Sequence, residues 1–334
     1  MKHNFAKIAL WLFMGVLISN LIYNYGFELL EVPTSSMEGT IRSGQYVLVN
    51  KLIPGPRFFV NNPNKYSRPF KFKELAYDDI IVFNFPDADT TITNKPGESY
   101  YLLKRQYPNL DSLLVSENWG KLEPTKVKHR PRMVKRITGM PGDTIEIKKG
   151  ILYVNSQVKK EINVCFSYIW TGNNRDLKKA LKLLNDKIKP IEKDKKTYLY
   201  LNSSELEQLG RLSINCKKEI LSQGISDNYI FPYKKEWLWN ADNMGPIYLP
   251  SKGETIDLTM ENIPIYRRMI EVFEHTPIEI KEEIIYSNNT PINSYTFKLN
   301  YYWVHGDNRP RSFDSRYWGP VPENHIVGVV KYRD

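Results

Sequence analysis

The stretch that most limits the fold lies at the N-terminus. From Ile8 to Phe27 the chain reads IALWLFMGVLISNLIYNYGF, twenty residues without a charge. A helix of that length rises about 30 Å, the thickness of a bilayer's hydrocarbon core. A cleaved secretory signal needs small residues at −3 and −1 behind the apolar run, and LISNLIYN offers no good pair. The expectation is therefore an uncleaved transmembrane anchor over 8–27, with residues 1–7 in the cytoplasm. Lys2 and Lys7 precede the span, whereas Glu28, Glu31 and Glu38 come before the first following base, Arg42. That bias of positive charge places everything beyond Phe27 outside the cytoplasm. No second run of this length occurs, so one crossing is expected.

Beyond the span the texture is that of an antiparallel β-protein. Short β-branched or aromatic runs appear at 45–51 (QYVLVNK), 78–85 (DDIIVFNF), 132–139 (RMVKRITG), 143–157 (DTIEIKKGILYVNSQ) and 325–333 (HIVGVVKYR), separated by Gly, Pro and Asn turns. MPGD (140–143) and KKGIL (148–152) punctuate hairpins. Residues 160–294 differ: they are lysine-rich, mixed in charge, and include helical stretches at 175–188 and 203–212. In the second, Ser204 followed by Glu207 has capping-box spacing. Leu177, Leu181 and Leu184 recur at helical period, as core residues do. Trp237 and Trp239 are expected to fill a small core. The expected organisation is a β-domain made of 28–159 and 295–334, interrupted by an inserted cap, 160–294.

Charge, cysteine and histidine narrow the chemistry. Residues 1–158 hold 21 bases against 14 acids, 159–294 hold 20 against 19, and 295–334 hold 6 against 4. The basic excess thus sits beside the anchor. It lacks an Arg-rich stripe with interleaved aromatics, so no nucleic-acid partner is expected, and a solvated or lipid-facing surface accounts for it. Cys165 and Cys216 are the two cysteines; the sequence leaves their pairing open. The five histidines form no metal-ligand spacing, so neither metal nor other cofactor is expected.

Three stretches then belong together: PTSSMEGTI (33–41), RMVKRITGMPGDTI (132–145) and GDNRPRSFDSRYWGPVP (306–322). A lysine among apolar strand residues is costly to bury. The bland account is that Lys135 and Arg136 alternate faces, one exposed and one paired. A nearby serine gives a second account, because an unprotonated lysine can act as general base. Desolvation must then lower its pKa by about three units, at roughly 1.4 kcal/mol each.

In these motifs and in layout the chain resembles the bacterial type I signal peptidases, membrane-anchored serine proteases. SSMEGTI is similar to the family's nucleophile box, VKRITGMPGD to its lysine box and GDNRPRSFDSRYWGPVP to its C-terminal box. The likeness covers the anchor, about 27–86, 132–158 and 296–334. It implies a mainly β, partly open barrel with a large α+β insertion behind one transmembrane helix. It also implies Ser36 as nucleophile, Lys135 as base, Thr34 with the Ser36 N–H as oxyanion hole, and Ser312 as the hydroxyl that orients Lys135. Arg136 with Asp307 and Asp314 with Arg316 are implied as structural ion pairs. Leu30, Val32, Met37, Ile41 and Val134 are implied as the lining of the pockets for small −1 and −3 side chains. One departure stands out: Gly39 occupies the position of the family's usual proline, and altered turn rigidity is expected there.

The implied substrates are exported preproteins at the outer face of the bacterial inner membrane, with the lipid bilayer as second partner. Residues 28–33 are placed to add the cleavage region as an extra strand. A self-cleaving Ser/Lys repressor-like peptidase would share the β-fold, but it needs a DNA-binding helix pair and no anchor. An anchored, non-catalytic binding module would use the insertion alone. His305 raises Ser-His chemistry, yet no suitably placed acid accompanies it.

Overall fold

The structure, a computed structural model, describes residues 2–95, 98–184, 188–211 and 216–333. It opens with α1 (Lys2–Leu21), whose residues from Lys7 onward are all exposed. Its Leu, Ile, Phe and Trp side chains are left uncovered, and Lys7–Gly26 is long and apolar enough to cross a membrane. The regular helix ends earlier than the apolar run. Ile22–Gly26 winds into one wider π turn, and Phe27 already begins a strand. That turn is tied to the domain: Tyr23 O accepts from Lys51 Nζ, and Gly26 O accepts the Lys51 N–H at 2.8 Å.

Seven strands build the main sheet: β1 (Phe27–Val32), β2 (Gln45–Asn50), β3 (Ile80–Asn84), β4 (Arg132–Gly139), β5 (Tyr301–His305), β6 (Val321–Pro322) and β7 (Ile326–Arg333). Their spatial order is β1-β2-β7-β3-β4-β5-β6, every pair antiparallel. β3 (IIVFN) and β5 (YYWVH) are buried at every residue, as interior strands covered on both faces must be. The period of two divides β3 between two cores. Ile80 and Val82 join Val47, Val49 and Val134, while Ile81 and Phe83 join Ile137, Val304 and Trp318. β1 forms one edge of the sheet, so a row of its backbone groups faces outward.

The hairpin read from KKGIL is present as Thr144–Lys148 and Ile151–Val154. Lys149 and Gly150 both have positive φ, 51° and 69°, the pattern of a type I′ two-residue turn. Met244–Tyr248 pairs with the hairpin's other edge, and Ile145, Ile147 and Leu152 share a core with Phe231, Met244, Ile247, Ile270 and Trp303. The second half of 160–294 is therefore continuous with the hairpin. Trp237 and Trp239 meet at 4.5 Å between ring centroids and pack on this core half-buried.

The first half has its own sheet, in the order Ile191–Lys193, Lys196–Leu201, Phe166–Trp170, Cys216–Lys218. Its own core contains Tyr168, Trp170, Ala180, Leu184, Leu199, Leu201 and Leu209, with Leu177 and Leu181 packed against it. Of the helix read over 175–188, Asn174–Leu183 is helical, and 185–187 lie outside the described residues. The capping box is shifted from the expected pair. Asn202, not Ser204, caps Ser203–Gly210, exchanging bonds of 2.9 and 2.8 Å with Glu205. The preceding strand ends at Leu201, so the helix starts two residues early and Glu207 is left to pair with Arg211. Cys165 is buried, Cys216 half-buried, and both are free thiols.

Candidate active site

β1 hands the chain to the hydroxyl run. Thr34 is extended, and Ser35–Met37 form a single 3-10 turn. Met37 fixes that turn: it is fully buried, and its carbonyl accepts the N–H groups of Thr40 and Ile41 at 3.0 and 2.8 Å. The loop after β5 closes from the other side. Asn308 donates its N–H to Ser36 O at 3.0 Å and its Nδ2 to Ser35 O at 3.1 Å and Glu38 Oε2 at 3.3 Å.

β4 brings Lys135 to this turn. Its Nζ lies 2.7 Å from Ser36 Oγ and 3.0 Å from Val134 O, with 2% of the residue exposed. Burial pushes the ammonium down to about 8, against the pull of Asp314 and Asp307. A neutral amine at this distance can accept the serine proton. Thr34 is exposed, its hydroxyl does not cap the turn, and Oγ1 sits 3.3 Å from Ser36 Oγ. The first N–H groups of a helical turn have no acceptor within it, so the Ser36 N–H and the Thr34 hydroxyl are two groups able to donate beside Ser36 Oγ.

The other candidate residues divide into those that meet and those that do not. Arg136 clamps Asp307 with two bonds of 2.8 and 2.6 Å and also reaches Asp78 O and Thr40 Oγ1. Arg316 clamps Asp314 at 2.9 and 3.0 Å. Val32, Met37, Ile41 and Val134 lie in one buried cluster with Leu30 half-buried against it. Ser312 is buried, but its Oγ bonds neither Lys135 nor any other described group. It presses on Gly306 instead: a Cβ there would overlap Ser312 Oγ and come within 2.5 Å of Ser36 O. His305 is turned away from the site. Its Nε2 accepts the Trp303 indole N–H at 3.0 Å, so Nδ1 donates to Thr138 Oγ1 at 3.1 Å. Burial holds the ring neutral, well below its usual pKa.

Two features escaped the reading of motifs. Asn308 sits inside the C-terminal box, yet only the fold reveals that it grips the Ser35–Met37 turn. The other is a strap, 161–165, just beyond the hairpin. Cys165 N donates to Asp307 O at 2.8 Å, Arg309 N donates to Cys165 O at 3.1 Å, and Glu161 pairs with Arg309. The strap also accounts for Gly39. That residue has φ +100°, and a Cβ on it would lie 2.7 Å from Asn163 O and 3.2 Å from Cys165 Sγ. Proline cannot adopt this φ, and the strap leaves no room for a Cβ at position 39.

Residues 5–205 and 253–333 match the family model described as signal peptidase, peptidase S26. The chain belongs to the signal peptidase family. It is a serine endopeptidase, a hydrolase that removes signal peptides. It is 23% identical over 320 residues to signal peptidase I of Buchnera aphidicola subsp. Acyrthosiphon pisum, spanning 95% of this chain and 70% of that one. It is 25% identical over 223 residues to signal peptidase I P of Bacillus subtilis subsp. natto, spanning 66% and 85%. The crystal structure of a signal peptidase I from Enterococcus faecalis V583 aligns over 78% of this peptidase and 98% of that chain, at 17% identity and a TM-score of 0.23. Residues 206–252, which include the paired tryptophans, fall outside the family match.

Proposed function

We propose that this peptidase is anchored by α1, cuts preproteins outside the cytoplasm after small residues at −1 and −3, and does so with a Ser36/Lys135 dyad. The observation that carries the proposal is the 2.7 Å approach of a buried Lys135 Nζ, lowered to about 8, to Ser36 Oγ. Neutral Lys135 takes the hydroxyl proton as Ser36 Oγ attacks the scissile carbonyl carbon. The negative charge that develops on the carbonyl oxygen is met by Thr34 Oγ1–H and the Ser36 N–H. Lys135, now an ammonium, returns the proton to the departing amine nitrogen, which leaves as the mature chain's N-terminus. The signal peptide stays esterified to Ser36. Water then loses a proton to Lys135 and attacks the ester carbonyl; as the intermediate collapses Lys135 returns that proton to Ser36 Oγ, the peptide leaves with a new carboxyl, and the serine hydroxyl and neutral lysine are restored.

In this mechanism Arg136–Asp307 and Arg316–Asp314 hold the loops, and Ser312 backs the nucleophile turn beside Gly306. Leu30, Val32, Met37, Ile41 and Val134 form the apolar wall that admits alanine-sized side chains. Supporting the bound strand, β1 is a sheet edge that starts one π turn after α1. An extended substrate segment can pair there close to the bilayer. The inward N-terminus rests on Lys2 and Lys7 against Glu28, Glu31 and Glu38.

The test is to incubate the detergent-solubilised chain with a preprotein and sequence the product's new N-terminus. Wild type should cut after an Ala-X-Ala-type site, while Ser36→Ala and Lys135→Ala should leave the preprotein intact. An active Lys135→Ala variant would refute the dyad. Protease added outside right-side-out membranes should digest residues beyond 27, and protection there would refute the orientation.

A further inference from the structure

We propose that the cavity between the end of α1 and the main sheet is a phosphate site that holds the headgroup of an anionic phospholipid. The proposal rests on the anchoring by α1 put forward above. The cavity has a volume of about 300 Å³, with Tyr23 and Tyr25 on the anchor side and Lys51, Arg57, Lys128 and Arg132 on the domain side.

These four cations share little negative charge. Glu28 pairs with two of them, Lys51 at 2.8 Å and Arg132. Arg57 spends its bonds on neutral oxygens, Asn84 Oδ1 at 2.9 Å, Asn324 O at 3.0 Å and His325 O at 3.1 Å. Burial, with Arg68 and Arg132 nearby, works against its charge, yet a guanidinium does not give up its proton. Burial likewise lowers Lys51, opposed by Glu28 and reinforced by Arg132 and Arg57. Lys128 is exposed at the rim. A phosphate group supplies the missing charge, and its oxygens match forked guanidinium donors.

The position selects a lipid over a soluble anion. Tyr23 and Tyr25 follow α1 within four residues, with 56% and 38% of their surfaces exposed. Tyrosine at the end of an apolar span sits at headgroup level. Tyr25 also stacks on Phe58 of the domain, centroids 5.8 Å apart and planes 8° from parallel, and Lys51 lies 5.0 Å from the Tyr23 ring. The cavity mouth is thus fixed where lipid phosphates lie.

The experiment is thermal unfolding of the full chain in neutral detergent micelles, titrated with dioctanoyl phosphatidylglycerol, dioctanoyl phosphatidylcholine or inorganic phosphate. Phosphatidylglycerol should raise the unfolding temperature saturably. Phosphatidylcholine should not, and inorganic phosphate should act only at far higher concentration. Lys128→Glu and Arg57→Gln should each weaken the apparent affinity by about tenfold or more. Lys178→Glu, on an exposed helix outside the cavity, controls for overall charge and should leave it unchanged. Arg57 also holds internal oxygens, so if its variant fails to fold the exposed Lys128 decides. An equal effect of the two lipids, a Lys128→Glu titration identical to wild type, or phosphate as potent as phosphatidylglycerol would overturn the assignment. Alkaline carbonate extraction of membranes tests the anchor separately: release of the chain would refute anchoring without touching the micelle titration.

Discussion

Replacing Lys135 by methionine isolates what it costs this fold to bury the lysine proposed as its base. The folded lysine titrates at about 8 against 10.5 for an ordinary one, a difference of about 3 kcal/mol between its two protonation states. The sign follows from proton counts. Between pH 8 and 10.5 the unfolded chain holds this proton and the folded chain does not, so stability rises with pH in that window. Below 8 the lysine is charged in both states and the folded protein carries the full penalty; above 10.5 the penalty is gone. Methionine keeps the length of the side chain and drops the charge. It also drops the bonds to Ser36 Oγ and Val134 O, worth about 1 kcal/mol each.

Lys135→Met should therefore be more stable than wild type at pH 7 by about 1–2 kcal/mol and less stable above pH 10.5. The check is thermal unfolding of both proteins in the same detergent from pH 6 to 11, where other titrations cancel in the difference. The same shift sets a rate. At pH 7 about a tenth of the molecules carry neutral Lys135, so wild-type kcat/KM should climb roughly tenfold to a plateau above pH 9. Parallel stability curves for the two proteins, or a flat wild-type rate profile with intact folding, would refute the reasoning.

Gly39→Pro, which restores the family's usual residue, should lower both unfolding temperature and kcat/KM, since φ +100° and the contact with Asn163 O exclude it; a neutral outcome in both measurements would contradict the strap geometry. Asn308→Ala should cut kcat by about tenfold or more with little change in KM, because it frees the carbonyl of Ser35 beside the proposed nucleophile, Ser36; steady-state kinetics on a short peptide read this directly. Replacing residues 168–218 by a short turn joins Ser167 to Glu219, whose N–H already bonds Ser167 O at 2.9 Å. It removes one lobe with its core and keeps the strap, so hydrolysis of an Ala-X-Ala peptide should survive while the choice among full preproteins changes. Equal loss on both substrates in a protein folded by circular dichroism would show that the lobe helps build the site.

Local pattern carried the sheet. QYVLVN alternates and IIVFN does not, and the first lies near an edge while the second lies inside, buried on both faces. The Lys149–Gly150 turn was equally legible, because few residue pairs accept two positive φ angles. What stayed hidden depends on contacts far apart in sequence. Both Asn202/Glu205 and Ser204/Glu207 fit a capping box, and only the end of the strand at Leu201 decides between them. The pairing of Met244–Tyr248 with Thr144–Lys148 joins residues a hundred apart, and it seats the second half of 160–294 on the hairpin's core while the first half keeps a core of its own. The strap 161–165 has no motif of its own. Its effect was visible in one departure, Gly39, whose cause lies 124 residues further along the chain.

A neutral lysine needs more than an apolar strand, because two carboxylates stand near it. Asp314 and Asp307 both pull Lys135 toward its charged form, and Arg316 opposes them. Each carboxylate is held in a two-bond clamp, Asp307 by Arg136 and Asp314 by Arg316. Burial works against the charge of Asp314, but the Arg316 guanidinium outweighs it and keeps the carboxyl well below its usual range. Lys135 thus faces ion pairs whose fields largely cancel, not bare anions. The two clamps, conventional as scaffolding, are what let desolvation prevail. Arg316→Met should expose Lys135 to an unpaired Asp314 and move the rising limb of the rate profile up from about 8 by a unit or more, whereas Arg316→Lys, which keeps a cation there, should return it most of the way. Near-UV circular dichroism at each pH separates this from unfolding. A folded Arg316→Met whose limb stays at 8 would mean that burial alone tunes the base.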